Sequence, residues 1–178
     1  MSLVPLVTQA LSILVVLSDI VIVVWIVALV MRRRMNVASQ FISWLSNHAV
    51  VLALIVAFVS MVSSLFYSDI AGYEPCKLCW YQRIFMYSQV FILAIALWRK
   101  NREVVEYSIG LSLIGGLIAA YHYYGQITNT PLPCSVIGFS SACSQRFVLT
   151  YGYITIPMMA LTGFGLILMV MISRKISK

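Results

Sequence analysis

The sequence predicts an all-α integral membrane protein with five transmembrane spans and its N-terminus outside. Three observations carry this. The chain is 62% hydrophobic and only 10% charged. Its apolar residues gather in five runs, each long enough to cross a hydrocarbon core, which takes about 20 helical residues. Its basic residues gather in short clusters that follow alternate runs. A soluble domain carries about a quarter of its residues charged and needs them to cover its surface. In lipid the exterior is apolar and the backbone is satisfied within helices. The net charge of +7 forms no stripe or arm, so membrane lipid and no nucleic acid is the expected partner.

The first run spans roughly Leu3 to Met31 and ends at Arg32, Arg33 and Arg34. It has no basic n-region and is too long for an h-region, so a retained helix is expected rather than a signal peptide. Asp19 lies near its middle. An intramembrane carboxylate is costly and marks a functional candidate; the plainer reading is a hydrogen-bonded packing residue between helices. A mixed segment containing Trp44 then lies at the interface, and the second span runs from about His48 to Tyr67. The third covers about Cys79 to Trp98, before Arg99, Lys100 and Arg102. The fourth covers about Val104 to Tyr124. The fifth runs from about Val148 to Ser173, before Arg174, Lys175 and Lys178.

Nine of the twelve Lys and Arg residues fall in the three clusters 32–34, 99–102 and 174–178. These follow the first, third and fifth spans and share a side, which the positive-inside rule makes the cytoplasm. The N-terminus and the loops 68–78 and 125–147 then face outward.

Each of these two loops carries a cysteine pair. Cys76 and Cys79 form a C-x-x-C, and Cys134 and Cys143 form a second, wider pair. Two crossings separate the pairs, so they share a side whichever way the chain is oriented. Orientation makes that side the oxidising one, where disulfides persist. Pro75 favours a chain turning into a helix, and a thiolate at a helix N-terminus is stabilised by the macrodipole. A two-residue spacer closes a small ring that opens and recloses readily. The second pair follows Thr130-Pro131-Leu132-Pro133 and encloses Gly138 and several serines, a setting that suits exchange with a protein partner. Two plainer readings stand beside this: structural disulfides, and a zinc site. The wide second spacing fits a zinc knuckle poorly, so zinc ranks last and no metal is expected.

Arg83 lies one helical turn after Cys79, on the same face. It admits two readings, snorkelling to lipid phosphates or donation to a carbonyl-bearing, membrane-dissolved electron acceptor beside Cys79. His122 and Gln126 lie one turn apart at the outer end of the fourth span. Their neighbours Tyr121, Tyr123 and Tyr124 suit an interfacial aromatic belt or the wall of a flat ligand site.

Pro75-Cys76-Lys77-Leu78-Cys79-Trp80-Tyr81-Gln82-Arg83 resembles the P-C-x-L-C-x-Y-[QE]-R signature of the DsbB family, including its BdbC-like branch. His122-Tyr123-Tyr124-Gly125-Gln126 resembles the family's H-x-x-x-Q. Pro131-Leu132-Pro133-Cys134 and Tyr151-Gly152-Tyr153-Ile154-Thr155-Ile156-Pro157-Met158 resemble its second loop and the start of its last helix. The resemblance covers roughly residues 48–173. It implies a membrane thiol oxidase that reoxidises an extracytoplasmic thioredoxin-fold dithiol protein (DsbA/BdbD-like) and passes the electrons to quinone, either ubiquinone or menaquinone. It implies catalytic roles for Cys76, Cys79, Cys134 and Cys143, and acceptor contacts for Arg83, His122 and Gln126. It also implies a four-helix redox domain, residues 35–178, to which residues 1–34 add one transmembrane helix. A location in a bacterial-type cytoplasmic membrane follows. The chain departs from the family in that added helix and in a short second cysteine loop, with eight residues between Cys134 and Cys143.

A vitamin-K-epoxide-reductase-like protein also joins a C-x-x-C to loop cysteines and quinone. There the C-x-x-C comes toward the last helix, whereas here it precedes the third of five. The alternative from another class is a polytopic scaffold or transporter whose loops are stapled by disulfides; it predicts unreactive cysteines and no quinone-linked turnover.

Overall fold

A computed structural model of the chain describes residues 3–32, 34–101, 103–128 and 146–177. Five helices account for most of them: α1 (Leu3–Met31), α2 (Asn36–Leu65), α3 (Lys77–Arg99), α4 (Val104–Thr128) and α5 (Ile156–Ile176). α2 continues into a π-helical segment, Phe66–Ile70.

The four helices α2 to α5 close a ring in chain order, with α5 returning to pack on both α4 and α2. α1 lies outside this ring, against α5 and α2. The expected bundle of four core helices plus one added helix is the architecture found. Its core is built on small residues that let the backbones approach, as lipid-embedded helices require. Ala49, Ala53 and Ala57 of α2 recur at every fourth position and are fully buried. Phe164 and Ile167 of α5, equally buried, belong to the same core. On α4, a Cβ added at Gly115 would collide with the Phe164 ring, meeting its Cε1 at 2.6 Å.

Among the described residues, α1, α2 with its π continuation, α4 and α5 are each long and apolar enough to cross a membrane. α3 differs from the expectation in degree. Its 23 residues reach about 35 Å at 1.5 Å per residue, which is enough, but its polar content sets it below the other four. The reason is where those polar groups go. Gln82 bonds His122 of α4 at 3.2 Å, and Gln89 accepts from Ser108 at 2.8 Å and Ser112 at 3.1 Å, also on α4. Both glutamines are buried, so α3 turns its polar face inward, away from the membrane.

Three boundaries move. The segment around Trp44 is helical and belongs to α2, because Ala38, Ile42 and Leu45 are buried at helical spacing and the first two pack on Ala28 of α1. α3 starts two residues earlier than expected. α5 starts at Ile156, because 148–155 is occupied by a tight turn. There Thr150 and Ile154 exchange two 3.0 Å backbone bonds across Tyr151 and Gly152, both with positive φ. Gly152 accepts that backbone without a Cβ penalty; Tyr151 does so against its preference.

α1 is held by specific contacts. Trp25 Nε1 donates to Ser173 Oγ of α5 at 2.8 Å. Thr162 Oγ1 of α5 donates to Asp19 Oδ1 at 2.8 Å, and Tyr153 Oη to Asp19 Oδ2 at 3.3 Å. Asp19 is thus a hydrogen-bonded packing residue between helices, the plainer of its two readings.

Candidate functional site

The C-x-x-C lies where the chain enters α3. Cys76 is the N-cap residue, with extended backbone (φ −72°, ψ 170°), and its carbonyl accepts from Trp80 N at 3.0 Å. Extended geometry at this position is what an N-cap requires and what the preceding proline favours. Cys79 follows in the first turn. The two sulfurs are 3.2 Å apart, well beyond the ~2.05 Å of a disulfide, so the structure holds the pair as free thiols.

His122 joins them from α4. Its Nε2 lies 3.8 Å from Cys76 Sγ, and its Nδ1 lies 3.2 Å from Gln82 Nε2. The Gln82 contact holds the ring with Nε2 turned toward Cys76. The hydrogen bond between the two thiols, followed by the bond and charge of His122, holds Cys76 below the ordinary thiol range, against the opposing effect of burial. The thiolate stabilisation expected at the helix mouth therefore falls on the N-cap residue.

The sulfurs of Cys76 and Cys79 and a ring nitrogen of His122 lie within 4.8 Å of one another. Two thiolates on a tetrahedral zinc with Zn–S bonds of ~2.3 Å stand about 3.8 Å apart. The 3.2 Å observed here is the spacing of a thiol hydrogen bond instead.

Cys76 is buried, 1% exposed. Cys79 opens onto a cavity of about 350 Å³ that also meets Gln82, Arg83, Tyr87, His122 and Gln126. A mostly apolar lining with a few convergent polar groups is the usual form of a small-molecule site, and this volume lies within its usual range. Arg83 is held by the end of α2. Its Nε donates to Ser64 Oγ at 2.9 Å and its Nη2 to the Ser64 carbonyl at 3.0 Å, with Trp80 packed 5.2 Å from the guanidinium. This fixes the fork at the cavity wall. The partner, Ser64, lies one residue before the last residue of α2, next to the π-helical segment, a feature frequent at functional sites.

The connection leading to α3 and the one leading to α5 meet at this end of the bundle. The rings of Tyr67, Tyr73 and Phe147 stack in series, with centroids 5.9 and 5.0 Å apart. Arg146 Nε donates to the Gln126 carbonyl in the last turn of α4 at 2.9 Å, as basic side chains near helix C-termini do. Cys134 and Cys143 lie outside the described residues.

Of the residues singled out from sequence, Cys76, Cys79, Arg83, His122 and Gln126 converge on one site. Reading the sequence missed Gln82, Ser64 and Tyr87. Gln82 was legible as a polar residue one turn from Cys79, and Ser64 as one of three serines closing an apolar run. Tyr87 carried no signal beyond lying one turn after Arg83.

The profile of the family described as "Disulfide bond formation protein DsbB" matches residues 46–173. A "Probable disulfide formation protein C" of Bacillus cereus is 38% identical over 126 residues, covering 66% of this chain and 85% of the relative. The "SPbeta prophage-derived disulfide bond formation protein B" of Bacillus subtilis is 42% identical over 116 residues, covering 65% and 78%. A "Probable disulfide formation protein" of Metapseudomonas resinovorans is 35% identical over 146 residues, covering 79% and 98%. No solved structure matches the chain. With the signature at the mouth of α3 and the four-helix ring that carries it, these matches make the chain a member of the DsbB family, in its BdbC-like branch, and an oxidoreductase of membrane disulfide bond formation.

Proposed function

We propose that the protein reoxidises an extracytoplasmic thioredoxin-fold dithiol protein and delivers the electrons to a membrane quinone through its two cysteine pairs. The observation that carries this reading is the position of Cys79, which opens onto a cavity that Arg83, His122 and Gln126 also line. The cavity fits the acceptor by its chemistry: apolar walls for a lipid-soluble ring, and N–H donors for its carbonyl oxygens. Quinone, when bound, supplies a terminal acceptor for two electrons and two protons.

The relay begins at the second pair. A partner thiolate attacks the Cys134–Cys143 disulfide at Cys134, forming a mixed disulfide and releasing Cys143 as thiolate. Cys143 attacks Cys76 in the Cys76–Cys79 disulfide, and Cys79 leaves as thiolate. The partner's second thiolate displaces Cys134, which completes the partner's disulfide. Cys134 then attacks Cys143, re-forming their disulfide and releasing Cys76. The partner has lost two electrons, and the Cys76–Cys79 pair has gained them.

His122 then has a task at each step that leaves negative charge on Cys76, because its ring stands beside that sulfur. Arg83, held by Ser64, keeps a fixed set of donors at the cavity wall. Partners of this class include strong oxidants near about −120 mV, so the acceptor must lie above the potential of any glutathione pool. Both cysteine pairs face the extracytoplasmic side of a bacterial cytoplasmic membrane in this reading, with the basic clusters inside.

The test is turnover of the purified protein with a reduced thioredoxin-fold dithiol protein and a soluble quinone. Cys79→Ser is expected to abolish quinone-dependent oxidation. Arg83→Ala is expected to raise the KM for quinone by about 10- to 100-fold, the loss that accompanies one charged hydrogen-bonding group. Absence of turnover with either ubiquinone- or menaquinone-type acceptors would leave the stapled scaffold as the better account.

A further inference from the structure

The family profile begins at residue 46, so α1 lies wholly outside it. Yet α1 reaches the cavity: Leu11, Leu14, Val15 and Ser18 line it, opposite the α3 face that carries Cys79, Arg83 and Tyr87. We propose that α1 is the tail-side wall of the acceptor site, binding the isoprenoid chain of the quinone and setting the lateral mouth through which it enters from lipid. The inference rests on the quinone reading above.

Three observations support it. First, the cavity is longer than a ring needs. Along α2 it is lined from Ser64, the partner of Arg83, to Ile55. Nine residues of helix make this about 13 Å, directed from the redox end toward the membrane interior. Second, the lining changes character along that length. Ser64, Arg83 and Gln82 stand at the cysteine end, while Ile55 of α2 and Leu166 of α5 stand at the far end, and Leu14 of α1 lies between these levels. Third, the cavity is open on one side along its length. Leu14 of α1 is 47% exposed and Ile55 of α2 is 53% exposed, whereas Val15 beside Leu14 is 8% exposed. The mouth therefore lies between α1 and α2 and faces lipid.

α1 is also fixed well enough to serve as a wall. Asp19 takes a hydrogen bond from Thr162 at 2.8 Å and Trp25 donates to Ser173 at 2.8 Å. Ile22 fits against Gly165, where an added Cβ would approach its Cδ1 to 3.3 Å. Near the redox end, Tyr67 Oη reaches Thr8 Oγ1 at 3.4 Å. A helix attached only by apolar contact would be interchangeable with lipid. These polar and close contacts hold it in register against α5.

The experiment uses the full-length protein in detergent with two benzoquinones, one without a tail and one with a decyl tail, and a third probe carrying a diazirine at the tail end. Photolysis of the wild type is expected to label residues within 3–31. Leu14→Trp, at a half-exposed position that tolerates bulk, is expected to suppress this labelling. It should also raise the KM for the decyl-tailed quinone about tenfold more than that for the tail-less quinone, the discrimination available to one altered apolar contact. Labelling confined to α3 or α4, or an equal change in KM for both quinones, would overturn the proposal while leaving the quinone reading standing. Failure of the wild type to reduce either quinone sinks that reading itself, and this one with it.

Discussion

At the scale of single residues, the site depends on how few groups share one proton. Cys76, Cys79, His122 and Gln82 form a continuous hydrogen-bonded line, from sulfur to sulfur to imidazole to amide. Because His122 acts on Cys76 both by hydrogen bond and by charge, and both act downward, removing it has a definite sign. In a Cys134→Ser, Cys143→Ser background, thiolate absorbance of the reduced protein should appear below the ordinary thiol range of about 8.5. It should be lost as pH falls through the depressed value. His122→Ala should move that midpoint upward, and an unmoved midpoint would mean the imidazole does not act on Cys76. Arg83 shows the complementary case. Its two bonds to Ser64 use the fork geometry of a guanidinium, which lysine lacks.

At the scale of elements, the packing of α4 on α5 is the tightest constraint in the molecule. The buried Phe164 ring occupies the space a side chain at Gly115 would need. Gly115→Leu should destabilise the bundle by about 1–3 kcal/mol, the usual cost of overpacking, read as a lowered midpoint of thermal unfolding in detergent. Gly110 on the same helix has open space around its Cβ direction, so Gly110→Ala serves as the matched control and should leave that midpoint nearly unchanged. The buried Gln89–Ser108–Ser112 group joins α3 to α4 lower in the bundle. It explains how a helix with reduced apolarity still sits within the ring: the Gln89 side-chain oxygen is met by hydroxyls of a neighbouring helix rather than facing lipid.

At the scale of the whole molecule, topology decides whether the relay is possible. Exposed positions on the two ends give a direct test in a cysteine-free background. Ile70→Cys and Leu149→Cys should react with a membrane-impermeant maleimide added outside intact cells, and Asn101→Cys only after permeabilisation. The opposite pattern would reverse the orientation and place the C-x-x-C in a reducing compartment. The stacked rings of Tyr67, Tyr73 and Phe147 already bring the two cysteine-bearing connections to one end of the bundle. Cys143 lies three residues before Arg146, which is anchored on the Gln126 carbonyl at that same end.

The sequence by itself determined the helical membrane architecture and the membership carried by the signature around Cys76, and it led to the expectation that the two cysteine pairs share a side. These are properties of composition, of parity in the number of crossings, and of spacing within one or two helical turns, so no long-range contact is needed to read them. Four matters were decided only by the tertiary structure. Only the structure shows Ser64, nineteen residues away, holding Arg83 at the cavity wall. Likewise, only the structure shows the His122 ring meeting Cys76 across forty-six residues. Asp19 had two readings until Thr162, 143 residues away, fixed it against α5 as a packing residue, and only the structure shows that the first helix lines the cavity. The acidic thiol went to Cys76 rather than further into the helix, first through its hydrogen bond with Cys79 and then through His122, which arrives from another element. In each case the outcome turned on which side chain a polar group met across the bundle. Such meetings are set by helix packing, which local periodicity constrains in rotation but not in depth or choice of neighbour.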